Sequence, residues 1–254
     1  MENKIVKHIE VNGTIYDVPS IYGLDFTKIE YSAEYNAYIN QYYKDKIAYA
    51  EEIKKEIETN IKSDWRLRFN ENQNILFFPQ VDFSNITNLY QAIANCKSMI
   101  ALPNIINSHN ATSFDYFLYN CGELKFTPVI IYTDNATSIG PMFYGCGKVS
   151  RIKLSSVAKA THISTAFANC PSLITLEFDN WKASSIPITS SPSLSSESIR
   201  YILDHACTIE EGATNRTLTL HATAKTNFQN SFASIDDYNA YIAEIASTKD
   251  ITIA

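Results

Sequence analysis

Between residues 72 and 180 the apolar positions recur at a fixed period. Cys96, Cys121, Cys146 and Cys170 are separated by 25, 25 and 24 residues, and the same pattern precedes each one. At seven, four and three residues before the cysteine stand Leu89, Ala92 and Ile93; then Phe114, Phe117 and Leu118; then Ile139, Met142 and Phe143; then Ile163, Ala166 and Phe167. This i, i+3, i+4, i+7 spacing predicts the inward face of a two-turn helix. Thr87, Thr112, Thr137 and Thr161, nine residues before each cysteine, suit a capping position. Met99, Leu124, Val149 and Leu173 follow at +3 and open short extended runs, of which "VSRIKL" and "LITLEF" alternate as half-buried strands do. Each unit of about 25 residues reads as helix, turn, strand, turn, and cannot bury its apolar side without its neighbours. The period therefore predicts an α/β repeat, a solenoid of helix/turn-strand units. An incomplete unit opens it, with Asn72 in the cysteine place and "ILFF" as its strand.

The flanks carry other patterns. Residues 4 to 18 predict a β-hairpin, with Ile5, Ile9 and Val11 leading into Asn12-Gly13, a type I′ turn dipeptide, and Ile15, Tyr16 and Val18 leading out. Thr27 to Trp65 contains neither Gly nor Pro and predicts one long helix. Ile39, Tyr43, Ile47, Ala50, Ile53, Ile57 and Ile61 step by 4, 4, 3, 3, 4 and 4, a mean of 3.67, which fits a weakly right-handed coiled coil. A helix of about 36 residues would reach roughly 54 Å. Its stripe is expected to meet copies of itself, and its isoleucines favour three or more strands, giving a homotrimer; the alternative is a helix folded back on the repeats. Beyond the Ser/Pro-rich break at 184–198, "ESIRYILDHAC" and "IDDYNAYIAEIAST" read as helices, and "RTLTLHA" and "DITIA" as strands. The expected divisions are 1–25, an attachment hairpin; 26–66, an oligomerising helix; 67–188, the repeats; and 189–254, a capping unit.

Composition narrows the function. The 254 residues are 45% hydrophobic, with a net charge of −6 and a pI near 5.4, so no basic field favours nucleic acid. No apolar run approaches the roughly 18 residues of a membrane span. The N-terminus alternates charge with hydrophobe and lacks a signal core, so the chain as written is not expected to be an exported precursor; a removed leader is the alternative.

Reactive chemistry finds little support. Equivalent cysteines on stacked units lie about 10 Å apart and cannot converge on a metal, nor can they be bridged as disulfides. They read as core positions, and no metal or cofactor is expected. His8, His109, His162, His205 and His221 occupy unrelated contexts, and no nucleophile elbow or phosphate-binding loop occurs. Asp134, Glu177 and Asp179 are the nearest thing to a glycosidase carboxylate pair, with solvated carboxylates as the plain alternative. Sequons start at Asn12, Asn85, Asn110, Asn135 and Asn215, and three of them keep the repeat period, as turn or cap chemistry would. What remains is a surface: Phe77, Lys125, Thr127, Tyr132, Arg151, Lys153, Thr175 and Glu177 flank the inward strand positions and form a candidate receptor-binding face.

"FANCPSLITL", with Phe167, Cys170, Leu173 and Leu176, resembles the F-x-x-C-x-x-L-x-x-L pattern of BspA-type leucine-rich repeats over about residues 72–182. In the second unit Phe126 breaks the strand register. The closing segment "LSSESIRYILDHAC...RTLTLHATAKTNF...YIAEIASTKDITIA" is similar to the C-terminal unit of phage tail and fibre proteins that carry such repeats, with Lys249-Asp250-Ile251 where those have Lys-Gly-Trp. "IEVNGTIYDVP" is similar to hairpins that open phage tail components. The resemblance implies a virion fibre or receptor-binding protein of a phage of gut bacteria, attached to the particle through its N-terminal segment and to a host glycan or protein through its repeats. A bacterial surface adhesin of the BspA type is the alternative, and a glycan-depolymerising fibre a further one.

Overall fold

Where the backbone N–H groups of the cysteine units point decides the architecture. The computed structural model describes residues 8–11, 14–17, 33–103 and 105–254. In the Cys121 unit, the N–H groups of Phe114, Leu118 and Asn120 donate to the carbonyls of Ser138, Met142 and Tyr144 in the next unit, at 2.9, 3.0 and 2.7 Å. The intervening N–H groups of Phe117, Tyr119 and Cys121 donate three residues back, to Phe114, Tyr116 and Leu118. An α-helix would send all of them four residues back within the unit. Tyr116 and Asn120 take φ of 58° and 57°, as Gln91 and Asn95 do one unit earlier, at 51° and 56°. Left-handed residues at that spacing cannot belong to a right-handed helix.

The predicted unit helices are thus corrected to pairs of tight turns. These still place Phe114, Phe117, Leu118 and Cys121 inward, each with no exposed surface. The residue before each cysteine is Asn95, Asn120, Gly145 or Asn169, all with positive φ, and Asn and Gly tolerate this conformation best. The turns leave N–H and C=O groups aimed along the stacking direction. Each unit therefore hydrogen-bonds its neighbours around much of its contour.

Strands are short. β3 (Ile105–Ile106), β4 (Ile130–Ile131), β5 (Arg151–Ser156) and β6 (Thr175–Asp179) form one parallel sheet in that order. Parallel bridges link Phe77 to Ala101 and Ala101 to Phe126, and a second row runs Asn88, Ser113, Ser138, His162. A second parallel sheet holds β7 (Ser185–Ile188), β8 (Arg216–Leu220) and β9 (Ile251–Ile253). β1 (His8–Val11) pairs antiparallel with β2 (Thr14–Asp17); the expected turn at Asn12-Gly13 lies outside the described residues.

The expectation of a leucine-rich-repeat solenoid of helix/turn-strand units behind a long coiled-coil helix is overturned. Among the described residues there are four α-helices, none of them in a cysteine unit: α1 (Ala33–Thr59), α2 (Ser196–Asp204), α3 (Ala222–Asn230) and α4 (Ile235–Lys249). α1 has 27 residues and stops at Thr59, short of the expected Trp65.

The stripe of α1 faces its own chain. Ala50, Ile53 and Ile57 are buried, the two isoleucines in the same core as Trp65, Phe69, Phe78 and Phe83, and Tyr49 packs on it. Tyr43 sits 6.4 Å from Phe77, and Ile47 is half-buried. Ile61 lies past the helix end, 79% exposed; the side chain of Ile39 lies outside the described residues. Arg68 locks the arrangement, donating to Glu56 at 3.0 Å and to the Asn60 carbonyl at 2.9 Å while its guanidinium lies 4.9 Å from the Trp65 ring. The seam is spent on the first unit, whose aromatic end would otherwise face water, so the self-associating stalk and the homotrimer built on it are withdrawn. An exposed terminal unit held on the same chain outcompetes a second copy for the stripe.

One core runs from Ile53 to Ile251 and crosses the expected boundary at residues 188 and 189 without a break. The Ser/Pro-rich segment is ordered into it: Ile186 and Ile188 are fully buried, and the buried Ser191 hydroxyl donates to the Cys170 carbonyl at 3.0 Å. At the far end Arg216, 1% exposed, donates to the carbonyls of Trp181 and Cys207 at 2.5 Å each and to that of Lys249, with the Trp181 ring 5.2 Å away. Burial lowers its pKa, yet its ordinary value lies so high that it stays charged. One guanidinium ties together the chain after β6, the chain after α2 and the end of α4. Arg216→Ala is expected to strand these carbonyls and lower unfolding stability by about 3 kcal/mol, measured as a fall in urea midpoint at constant slope.

Candidate recognition surface

Parallel register determines which predicted residues meet. β5 and β6 align Arg151 with Thr175, Ile152 with Leu176 and Lys153 with Glu177. Because side chains alternate along a strand, Ile152, Leu154, Leu176 and Phe178 are buried inward and the other four face out. Lys153 and Glu177 pair at 2.8 Å, 32% and 24% exposed. Thr127 joins from the preceding unit, its hydroxyl donating to the Arg151 carbonyl at 2.5 Å. Five of the eight candidates, Thr127, Arg151, Lys153, Thr175 and Glu177, share one outer patch.

Among the described residues, no side-chain hydrogen bond, ion pair or ring contact joins the other three to it. Lys125 is exposed, but the residue in the bridged row with Ala101 is Phe126. Phe77 is half-buried beside Tyr43 of α1. Tyr132 lies past the end of β4, its ring 4.0 Å from that of His109, which contacts Asp134 at 2.8 Å.

α2 extends the patch. Its Ser198 hydroxyl accepts from Leu176 N–H at 3.0 Å, and Ser195 N–H donates to the Ile174 carbonyl at 2.9 Å, so the helix takes the place of the next strand beside β6. This sets Tyr201 against the sheet face: its hydroxyl donates to Asp179 at 2.8 Å, Lys153 lies 5.8 Å from its ring, and His205 stacks on it at 3.8 Å and 11°. Burial, the hydrogen bond to Asp179 and the charges of Asp179 and Glu177 push the Tyr201 phenol up to about 12. Beyond Tyr201 lies a cleft of about 340 Å³, bounded by α2 and by Ser231 after α3.

Sequence reasoning missed Arg200, Tyr201, Asp204 and His205, and weighed Asp179 only as one of a carboxylate pair. The signal was present in "ESIRYILDH": Ile199, Ile202 and Leu203 turn inward, which leaves Glu197, Arg200, Tyr201 and Asp204 on the polar side. Glu177 bonds Lys153 and Asp179 bonds Tyr201, so both carboxylates of that pair are engaged in holding the surface.

The cysteines lie in the core. Cys96, Cys121, Cys146 and Cys170 are fully buried, and each Sγ–H donates to a carbonyl of the preceding unit, at Phe69, Ile93, Leu118 and Phe143, at 3.1–3.2 Å. Burial raises all four thiols, Cys96 to about 11 and Cys170 to about 12. A column of thiols each donating upstream explains a small residue with a weak donor at this place. The sequon residues Asn110 and Asn135 are likewise structural, donating to the carbonyls of Ser84 and His109 at 2.7 Å. No group of His, Cys, Asp and Glu among the described residues is arranged to hold a metal, and no described helix is long and apolar enough to cross a membrane. Comparison of the chain with protein-family models, curated proteins and solved structures finds no match.

Two outcomes follow. The five cysteines are expected to resist a thiol-specific chromogenic reagent at neutral pH and to react fully once the chain is denatured; rapid native labelling of Cys96, Cys121, Cys146 or Cys170, located by peptide mapping, would remove that residue from the core. The Tyr201 phenol, raised above its ordinary 10, favours the fold in its neutral form. Its contribution is complete below about pH 10 and is lost as pH climbs towards 12. Wild type should therefore converge in stability with Tyr201→Phe over that window, followed by thermal melts at stepped pH.

Proposed function

We propose that the chain is a receptor-binding component of a phage virion fibre, and that it attaches noncovalently to a host-surface glycan or protein. The observation that carries this reading is the outer face of β5 and β6. There the register sets Arg151, Lys153, Thr175 and Glu177 side by side on a buried scaffold, and Tyr201 closes the edge. Donors, acceptors and an aromatic ring held on a rigid sheet are what recognition of a polar ligand needs. The resemblance to BspA-type repeats and to phage fibre segments supports the same reading, and the hairpin of β1 and β2 is the part assigned to docking on the particle.

The Lys153–Glu177 pair adds little to stability, since half-exposed ion pairs contribute about 0–1 kcal/mol. Its removal therefore reports on binding with little effect on folding. Fluorescently labelled protein is expected to adsorb to a subset of strains in a panel of gut bacteria, and Lys153→Ala with Glu177→Ala to weaken adsorption by about tenfold or more at an unchanged melting temperature. Adsorption to no strain, or adsorption indifferent to the double variant, would contradict the assignment. A fall in capsular polymer length on incubation would replace binding with cleavage.

A further inference from the structure

The cleft beyond Tyr201 holds a set of hydrogen-bonding groups that the fold does not consume. Arg200 is half-buried, its guanidinium 4.4 Å from the Phe232 ring and 4.8 Å from Tyr241. Such stacking fixes the plane of the fork and leaves its N–H edge facing the cleft. None of its N–H groups meets an acceptor among the described residues. The Asp204 carbonyl accepts from Lys249 Nζ at 2.5 Å, while its carboxylate accepts one hydrogen bond, from the Tyr241 hydroxyl at 2.6 Å through Oδ1, which leaves Oδ2 open. His205 Nδ1 lies 2.9 Å from the Tyr201 carbonyl, which can only accept. In the neutral ring the proton sits on Nδ1, and Nε2 is a bare acceptor. Ser231 donates to the Phe228 carbonyl at 2.6 Å, and its oxygen can still accept.

A fixed fork of donors beside carboxylate and imidazole acceptors matches adjacent hydroxyls, each of which donates once and accepts once. Charge narrows the class. Glu197 and Asp204 flank Arg200 three and four residues away on the same side of α2, so an anion meets two carboxylates. A cation meets the immobilised guanidinium. A neutral polyhydroxyl ligand opposes neither, and a cleft of about 340 Å³ is at the small end of ligand sites.

We propose that the α2 cleft binds one neutral pyranose of the host glycan, with Arg200 donating to a pair of adjacent hydroxyls and Asp204 Oδ2 and His205 Nε2 each accepting one of their protons. This rests on the attachment reading, and it extends the recognition surface past Tyr201 from the sheet to the helix.

Saturation-transfer NMR on the full chain with the methyl glycosides of glucose, galactose, mannose and N-acetylglucosamine tests it, with a methyl glucuronoside and free glucosamine as charged comparators. At least one neutral glycoside is expected to bind, and Arg200→Gln to weaken it by about tenfold or more. Ser231→Trp, which sets an indole at the edge of the cleft, is expected to abolish the signal. Melting temperatures of both variants serve as the check on folding. Binding of no neutral glycoside, binding only of a charged comparator, or binding that survives both variants would overturn the proposal. Loss of adsorption in the Lys153/Glu177 double variant without any glycoside binding would leave attachment standing and remove the cleft from it. Glycoside binding that obeys both variants, with adsorption to no strain, would keep the sugar site and overturn attachment.

Discussion

Everything in this molecule depends on backbone hydrogen bonds that run from one unit to the next outside the strands as well as within them. The sheet of β3 to β6 is narrow, with two strands of two residues. It could not hold the units together alone. The turns supply the rest: Leu89 bonds Ser113, Ile93 bonds Phe117, Leu118 bonds Met142, Phe143 bonds Ala166. Side chains follow the same direction. Thr112, Thr137 and Thr161 donate to the carbonyl of the threonine one unit back, at 3.0–3.3 Å, Asn120 donates to Asn95 at 3.1 Å, and the thiols form their own column. A polar group at a given place in a unit has its partner at a fixed place in its neighbour.

Such a stack has two ends at which the rule fails, and both are closed by an arginine on an aromatic ring. At the first, Arg68 fixes α1 over Trp65 and Phe69. At the second, Arg216 lies over Trp181 and gathers carbonyls that no further unit can satisfy. Nε of both side chains is buried without a partner. Arg216 offsets that desolvation cost by satisfying three carbonyls, and Arg68 by its charged pairing with Glu56 and its bond to the Asn60 carbonyl. It also explains why Ala50, Ile53 and Ile57 of the stripe on α1 are buried against their own chain. Its period of 3.67 reports a helix with one apolar side; what that side meets is decided by the unpaired end of the stack.

How much of this could be read beforehand varies with the kind of signal. Burial was legible: the positions chosen around Cys121 are the positions that are buried, because spacing fixes which side chains turn inward. The backbone was not, since a helix and two consecutive turns give the same inward spacing over eight residues. The Asn or Gly before each cysteine was the discriminating residue, as it marks a left-handed position that a helix forbids. α3 escaped because only Ala224 and Phe228 turn inward from it, too few to form a period. For the recognition surface, alternation identified Arg151, Lys153, Thr175 and Glu177, which lie in register ahead of the shift between Lys153 and Ser156. It misplaced Phe77 and Tyr132, whose neighbours are a helix and a corner.

The location of the cleft follows from the same regularity. Equal units laid in register make flat faces, since each residue is followed by its equivalent at the strand spacing of about 4.8 Å. The half-buried tyrosines 90, 116, 119 and 144, in ring contact at 5.2–5.8 Å, show what such a face becomes: a continuous strip of like side chains. A local hollow, as distinct from the broad curvature of a whole stack, comes most readily with a break in period. The break comes after β6, where α2 takes a strand's place, presents its polar side at a different height and lets the segment after α3 fold against it. The side chains freed by that substitution, Arg200, Tyr201, Asp204 and His205, are those that the repeat could not have positioned. A stack of this kind gains a site for a small ligand where it stops repeating, and here that place adjoins the broadest strands of its sheet.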